Sequence, residues 1–177
     1  MTYIDGFNLY HSIKALSKQD CSLEYLKWQN LPKLAQQFLS RNDEIIKIYF
    51  FTAYPYWKPK ALQNHRNYVA ILQDLGVNVI FGHFKTRKSY CSNCKTYTES
   101  HEEKQTDVNI AMQILKDSYE QTHDMVQIIS GDTDLVPPIK LARNEGKIIN
   151  IVLPPRRKSK EFIQNYDKTS NRKIKHL

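Results

Sequence analysis

Ile45-Ile46-Lys47-Ile48-Tyr49-Phe50-Phe51-Thr52-Ala53 is a dense run of β-branched and aromatic residues. It is nearly continuous rather than alternating, which fits a strand buried on both faces, the signature of a parallel sheet. Working outward, further strands are expected at residues 2–5, 77–84, 125–130 and 147–153. Helical stretches lie between them, at residues 7–17, 31–39 (Pro32 in the first turn) and 60–75, which Gly76 stops. Ser100-x-x-Glu103 has the form of a capping box and predicts a helix from there to about Tyr119. Gly131–Thr133 turns the chain into a last helix ending near Gly146, and a loop runs through Cys21. Strand and helix alternate throughout, so the expected fold class is α/β, a three-layer α/β/α sandwich with a mostly parallel sheet.

The 177 residues suffice for one domain with a proper core. A hydrophobic share of 41% and a charged share of 25% exclude a disordered or fibrous chain. No apolar run approaches the roughly 20 residues of a membrane span, and the amino end lacks a basic-then-apolar leader; a cytoplasmic protein without membrane association is expected. The net charge is +8, and +6 of it falls between Pro154 and Leu177, on Arg156, Arg157, Lys158, Lys160, Lys168, Arg172, Lys173 and Lys175 against Glu161 and Asp167. The expected organisation is therefore a domain over residues 1–153 and a basic tail over 154–177. A nearly neutral body with a basic end suggests a polyanion partner.

Four carboxylates stand out. Asp5 closes the first strand, Asp132 and Asp134 follow directly on a later one, and Asp107 lies in the first turns of a crossover helix. All four fall at the carboxyl edge of the expected sheet, where open α/β sheets place their ligands. Clustered acids repel one another and raise each other's pKa, a penalty that a divalent cation removes. An all-oxygen donor set suits Mg²⁺ or Mn²⁺ rather than zinc, and such ions assist in-line displacement at phosphorus. A turn-forming or capping role for any single one of these aspartates is the plain alternative.

Tyr3-Ile4-Asp5-Gly6-Phe7-Asn8, Glu102-Glu103-Lys104-Gln105-Thr106-Asp107-Val108-Asn109 and Ile129-Ser130-Gly131-Asp132-Thr133-Asp134 occur in an order that resembles the NYN domains, which belong to the PIN-like metal-dependent ribonucleases. The resemblance covers roughly residues 2–153. It implies a sheet of about five mostly parallel strands, a Mg²⁺ or Mn²⁺ site, and hydrolysis of RNA phosphodiester bonds. By position it assigns Asp5, Asp107, Asp132 and Asp134 to the acidic site, Asn8 to a water or phosphate, and Lys104 and Thr133 to phosphate contacts.

Residues 85–100 break the strand–helix rhythm and read as an insertion, a hairpin or small knuckle. Cys91-x-x-Cys94 with His101 offers three zinc-type ligands, with Cys21, His83 or a second chain as a fourth; surface thiols and redox chemistry are the other readings. Lys85, Arg87 and Lys88 form a basic patch able to guide a nucleic acid strand, as Arg156 and Arg157 would in the tail. Tyr54, Tyr56 and Trp57 follow a strand end and could flank the crevice as base-stacking rings. The leading expectation is a metal-dependent endoribonuclease acting on RNA, with single-stranded DNA as a further substrate class. The alternative is an RNA-binding module of the same fold that does not cleave. A haloacid-dehalogenase-type phosphatase would need an Asp where Phe7 stands. Homo-oligomerisation is left open.

Overall fold

A computed structural model describes residues 1–157, 160–165 and 167–171. Strand β1 (Thr2–Asp5) runs into helix α1 (Gly6–Ser17), followed by a 3-10 helix (Cys21–Trp28) and the short α2 (Leu31–Gln36). The aromatic run supplies β2 (Ile48–Thr52), and α3 (Pro59–Asp74) leads to β3 (Asn78–Phe81). A hairpin of β4 (His83–Cys91) and β5 (Thr96–Lys104) precedes α4 (Thr106–Tyr119) and β6 (Met125–Ile129). A 3-10 turn (Thr133–Leu135) opens α5 (Val136–Asn144), which leads to β7 (Ile148–Leu153), α6 (Lys160–Asn165) and β8 (Lys168–Asn171).

The main sheet has the order β3-β2-β1-β6-β7-β8, and every neighbouring pair is parallel. The chain winds from β1 toward β3 on one side and from β6 toward β8 on the other. The order therefore reverses between β1 and β6. Crevices at such a switch point, outside the carboxyl ends of the strands, are where doubly wound sheets bind ligands.

Successive residues of a strand point to opposite faces, and each face here builds its own core. Tyr3, Phe51, Ile128 and Ile151 pack on one side with Ile110 and Ile114 of α4 and Ile139 of α5. Ile4, Phe50, Ile129 and Val152 pack on the other with Leu9 and Ile13 of α1, Leu26, Leu34 and Leu72. This is the expected α/β/α sandwich with a parallel sheet. Five strands make up the expected sheet, and β8 extends it at the β7 edge. The last two elements fall in the segment read as a basic tail, and Phe162 of α6 is fully buried in the first core. Lys158, Arg172, Lys173 and Lys175 lie outside the described residues.

The sequence reading departs from the structure at two further places. Residues 100–104 are not the start of a helix: Ser100 pairs with Arg87 in the hairpin, and α4 begins at Thr106. Glu103 still caps that helix from the strand side, its Oε1 accepting the Thr106 N–H at 3.0 Å, with Gln105 in the left-handed conformation (φ 74°) between them. The loop expected through Cys21 is the 3-10 helix, which Asp20 caps by accepting the Ser22 N–H at 3.0 Å.

Candidate active site

Asp5 ends β1 and caps α1 with the same carboxylate. Its Oδ1 accepts the Asn8 N–H at 2.9 Å, and its Oδ2 accepts the Ser130 hydroxyl at 2.8 Å from the far side of the switch point. Gly6 makes this sharp strand-to-helix turn feasible: a Cβ there would stand 2.5 Å from the Phe51 carbonyl oxygen and 2.8 Å from the Phe50 ring. Ser130 in turn accepts the Asp132 N–H on its Oγ at 3.1 Å, and Asp132 Oδ1 accepts the Asp134 N–H at 3.0 Å. Asn8 closes the frame, its Oδ1 accepting the Gly131 N–H at 3.1 Å.

Oxygens of Asp5, Asp107 and Asp132 converge within 4.8 Å of one another. Asp5 is buried, Asp132 half-buried and Asp107 exposed. Among the described residues none of the three forms an ion pair with Lys or Arg. The cost falls on Asp5 and Asp107. Burial, reinforced by Asp107 and Asp132, pushes the Asp5 carboxyl up to about 6, even though the Asn8 and Ser130 hydrogen bonds pull it down. Asp107, though exposed, is also raised, by partial desolvation first and then by Asp132, Glu103 and Asp134. Three hard oxygen donors on separate elements, those of Asp5 and Asp132 fixed by hydrogen bonds, fit a hard divalent cation.

The profile of the NYN domain matches residues 1–171. The chain belongs to the NYN domain family. No curated protein matches it. The NYN chain is similar over 98% of its length to the crystal structure of a protein of unknown function from Vibrio parahaemolyticus, covering 91% of that chain at 18% identity and a TM-score of 0.65. That likeness establishes the shared fold. A hypothetical protein from Neisseria gonorrhoeae with bound ppGpp matches at 12% identity over 83% of this chain and 78% of that one, with a TM-score of only 0.26.

The remaining expected residues of the NYN site divide. Asp134 lies beside the cluster but is exposed and outside the three-carboxylate group, because the short 3-10 turn after Asp132 carries it toward solvent. Asn8 serves the frame through its Oδ1 rather than facing the crevice with that atom. Lys104 pairs with Glu102 at 2.7 Å, and Thr133 is exposed on the turn. Lys85, Arg87 and Lys88 are exposed along β4, Arg87 pairing with Glu102 at 3.2 Å.

Arg156 and Arg157 are set by a strap after β7. The Ser12 hydroxyl donates to the Pro155 carbonyl, and Arg156 Nη1 donates to the Ala15 carbonyl at 3.2 Å. The strap lays the Arg157 side chain on Gly131, where a built Cβ would meet its Cβ at 2.9 Å. The residue before Asp132 is thus a glycine because an arginine stem occupies the side-chain space. His11 is held below its usual range by burial, then by Lys14 and Arg157.

His101 does not join the cysteines. It stacks on Trp57 at 3.8 Å and its Nδ1 hydrogen-bonds the Thr86 hydroxyl at 3.1 Å, whereas Cys91 pairs with Thr96 at the hairpin tip. Five residue pairs separate the two places, about 17 Å along the strand. Trp57 is thereby a flank of the hairpin base, with Phe84 edge-on to it at 4.5 Å and Phe7 edge-on to Phe84 at 5.4 Å. Ser130 carries a part of the site that sequence reasoning left without a role. It sits inside a quoted motif, but only the spatial neighbourhood shows that it touches Asp5 and Asp132.

Proposed function

We propose that the chain is a divalent-metal-dependent ribonuclease that cuts within RNA. The observation that supports it most is the convergence of the Asp5, Asp107 and Asp132 oxygens within 4.8 Å at the β1/β6 switch point, with no cationic side chain paired to any of them among the described residues. Those three residues would hold the ion, which when bound supplies charge neutralisation, activation of a water and polarisation of the scissile phosphate.

The chain's own groups divide the rest of the work. Ser130 and Asn8 donate to Asp5 and so keep a buried carboxylate ready to accept a cation rather than a proton. Asp134, exposed beside Asp132, is available to take up a proton as water attacks. Arg157 brings a fixed positive charge to the rim on the Asp132 side. Lys85 and Lys88, exposed on the hairpin opposite Glu102 and Glu99, offer cationic side chains to the RNA backbone, and salt should weaken that attraction. With Asp107 and Asp134 both exposed, the site is open at the edge of the fold, which suits an internal stretch of a strand more than a captured end.

The test is cleavage of an internally labelled RNA and of a circular RNA by the purified chain with Mn²⁺ or Mg²⁺. Cleavage of both, lost in excess EDTA and in Asp132→Asn with an unchanged circular dichroism spectrum, supports the reading. Tight RNA binding with no cleavage at millimolar Mn²⁺ supports the non-cleaving module instead.

A further inference from the structure

β4 and β5 form a sheet of their own, paired from His83–Lys104 at the base to Cys91–Thr96 at the tip. Nine residues of strand reach about 30 Å. Every residue from Lys85 to Ser100 is exposed except Cys91. Among the described residues, the ring contacts to the body lie at the base, through Phe84, Trp57 and His101. A lone two-stranded ribbon is marginal in water, and small exposed elements of this kind are usually held by a metal, a disulfide or a partner.

The tip holds the means for one of these. Cys91 and Cys94 bracket the turn as free thiols, with Lys95 in the left-handed conformation (φ 51°) returning the chain. Cys94 Sγ lies 2.8 Å from the Thr96 hydroxyl. Two thiols side by side on one turn are half of a tetrahedral sulfur site. Among the described residues no third His, Cys, Asp or Glu joins them. A half-site on an exposed tip is completed most simply by its own copy: a two-fold axis through the ion presents the same two sulfurs again. Tyr90 and Tyr97 pair as tilted rings 5.0 Å apart next to the tip, 53% and 76% exposed.

We propose that Cys91 and Cys94 form half of a zinc site that the same pair from a second copy completes, joining two chains hairpin tip to hairpin tip. The site is separate from the carboxylate cluster and does not depend on the nuclease reading.

The experiment uses the full chain, reduced and stripped of metal. Zn²⁺ is titrated while sedimentation velocity reports mass, and Co²⁺ replaces Zn²⁺ to report coordination through its sulfur charge-transfer and tetrahedral bands. Expected are a doubling of mass, saturation at one ion per two chains, and a four-sulfur Co²⁺ spectrum. Cys91→Ser and Cys94→Ser should each remove all three, with circular dichroism and RNA cleavage unchanged. One tightly bound zinc per monomer, no sulfur-bound Co²⁺, or a dimer indifferent to zinc and to both serine variants would overturn the proposal.

Discussion

Ser130 Oγ donates to Asp5 Oδ2 at 2.8 Å, and the same oxygen accepts the Asp132 N–H at 3.1 Å. One buried hydroxyl thus ties the end of β1 to the turn after β6 and fixes two of the three clustered carboxylates relative to each other. Ser130→Ala removes a hydrogen bond that lowers the Asp5 pKa. The acid limb of the metal-dependent activity should then move to higher pH, and stability should fall by about 1–2 kcal/mol as the Asp132 N–H loses its acceptor. A pH–rate profile and a urea melt check both. An unmoved acid limb would show that the bridge does not act through Asp5.

Asp5→Asn should stabilise the fold while abolishing activity. The folded-state pKa of Asp5 is raised to about 6 from an ordinary 3.8. Ionised Asp5 therefore weighs against folding at high pH, by up to about 3 kcal/mol, and this cost fades as pH falls through 6 toward 3.8. The variant's advantage should be largest above pH 7 and close toward pH 4. Chemical denaturation of both proteins in EDTA across that range measures it. An advantage independent of pH would place its origin elsewhere.

Much of the fold is legible in the sequence because a sheet covered on both faces turns its strands into nearly continuous apolar runs, as at Ile48–Thr52 and Ile148–Leu153. The hairpin is less legible. With most of its residues exposed, it carries no alternating burial pattern, and Ser100 and Glu103 mimic a helix start. β8 is four polar residues, Lys168-Thr-Ser-Asn, at a sheet edge, so charge composition hides it, and the buried Phe162 belongs to the preceding helix. Within the site, the edge position of all four aspartates follows from strand and helix order. Which three meet depends on the 3-10 turn at Thr133–Leu135, a local geometry that residue types alone do not specify.

Arg157→Ala should raise the KM for RNA about tenfold while leaving metal affinity nearly unchanged, and the salt dependence of RNA binding should become shallower. A structural readout accompanies this. Arg157 is among the groups holding the His11 pKa down, so its removal should let His11 titrate at higher pH. An NMR titration of the His11 ring follows that shift, and an unchanged value would mean the guanidinium does not sit where the strap places its stem.

Gly6→Ala should be strongly destabilising, by about 3 kcal/mol or more, since a methyl group 2.5 Å from the Phe51 carbonyl forces the β1–α1 turn away from β2. Thermal melts in EDTA isolate this from metal binding. A loss below 1 kcal/mol would indicate that the turn has slack.

The most direct measurement is a calorimetric Mn²⁺ titration of the wild-type chain and of Asp5→Asn, Asp107→Asn and Asp132→Asn, at pH 7.5 and pH 5. Expected are saturable binding by the wild type at pH 7.5, marked weakening at pH 5 as Asp5 protonates, and loss in each variant with the fold intact. Equal Mn²⁺ affinity in the wild type and all three variants would contradict a dication site built by these carboxylates.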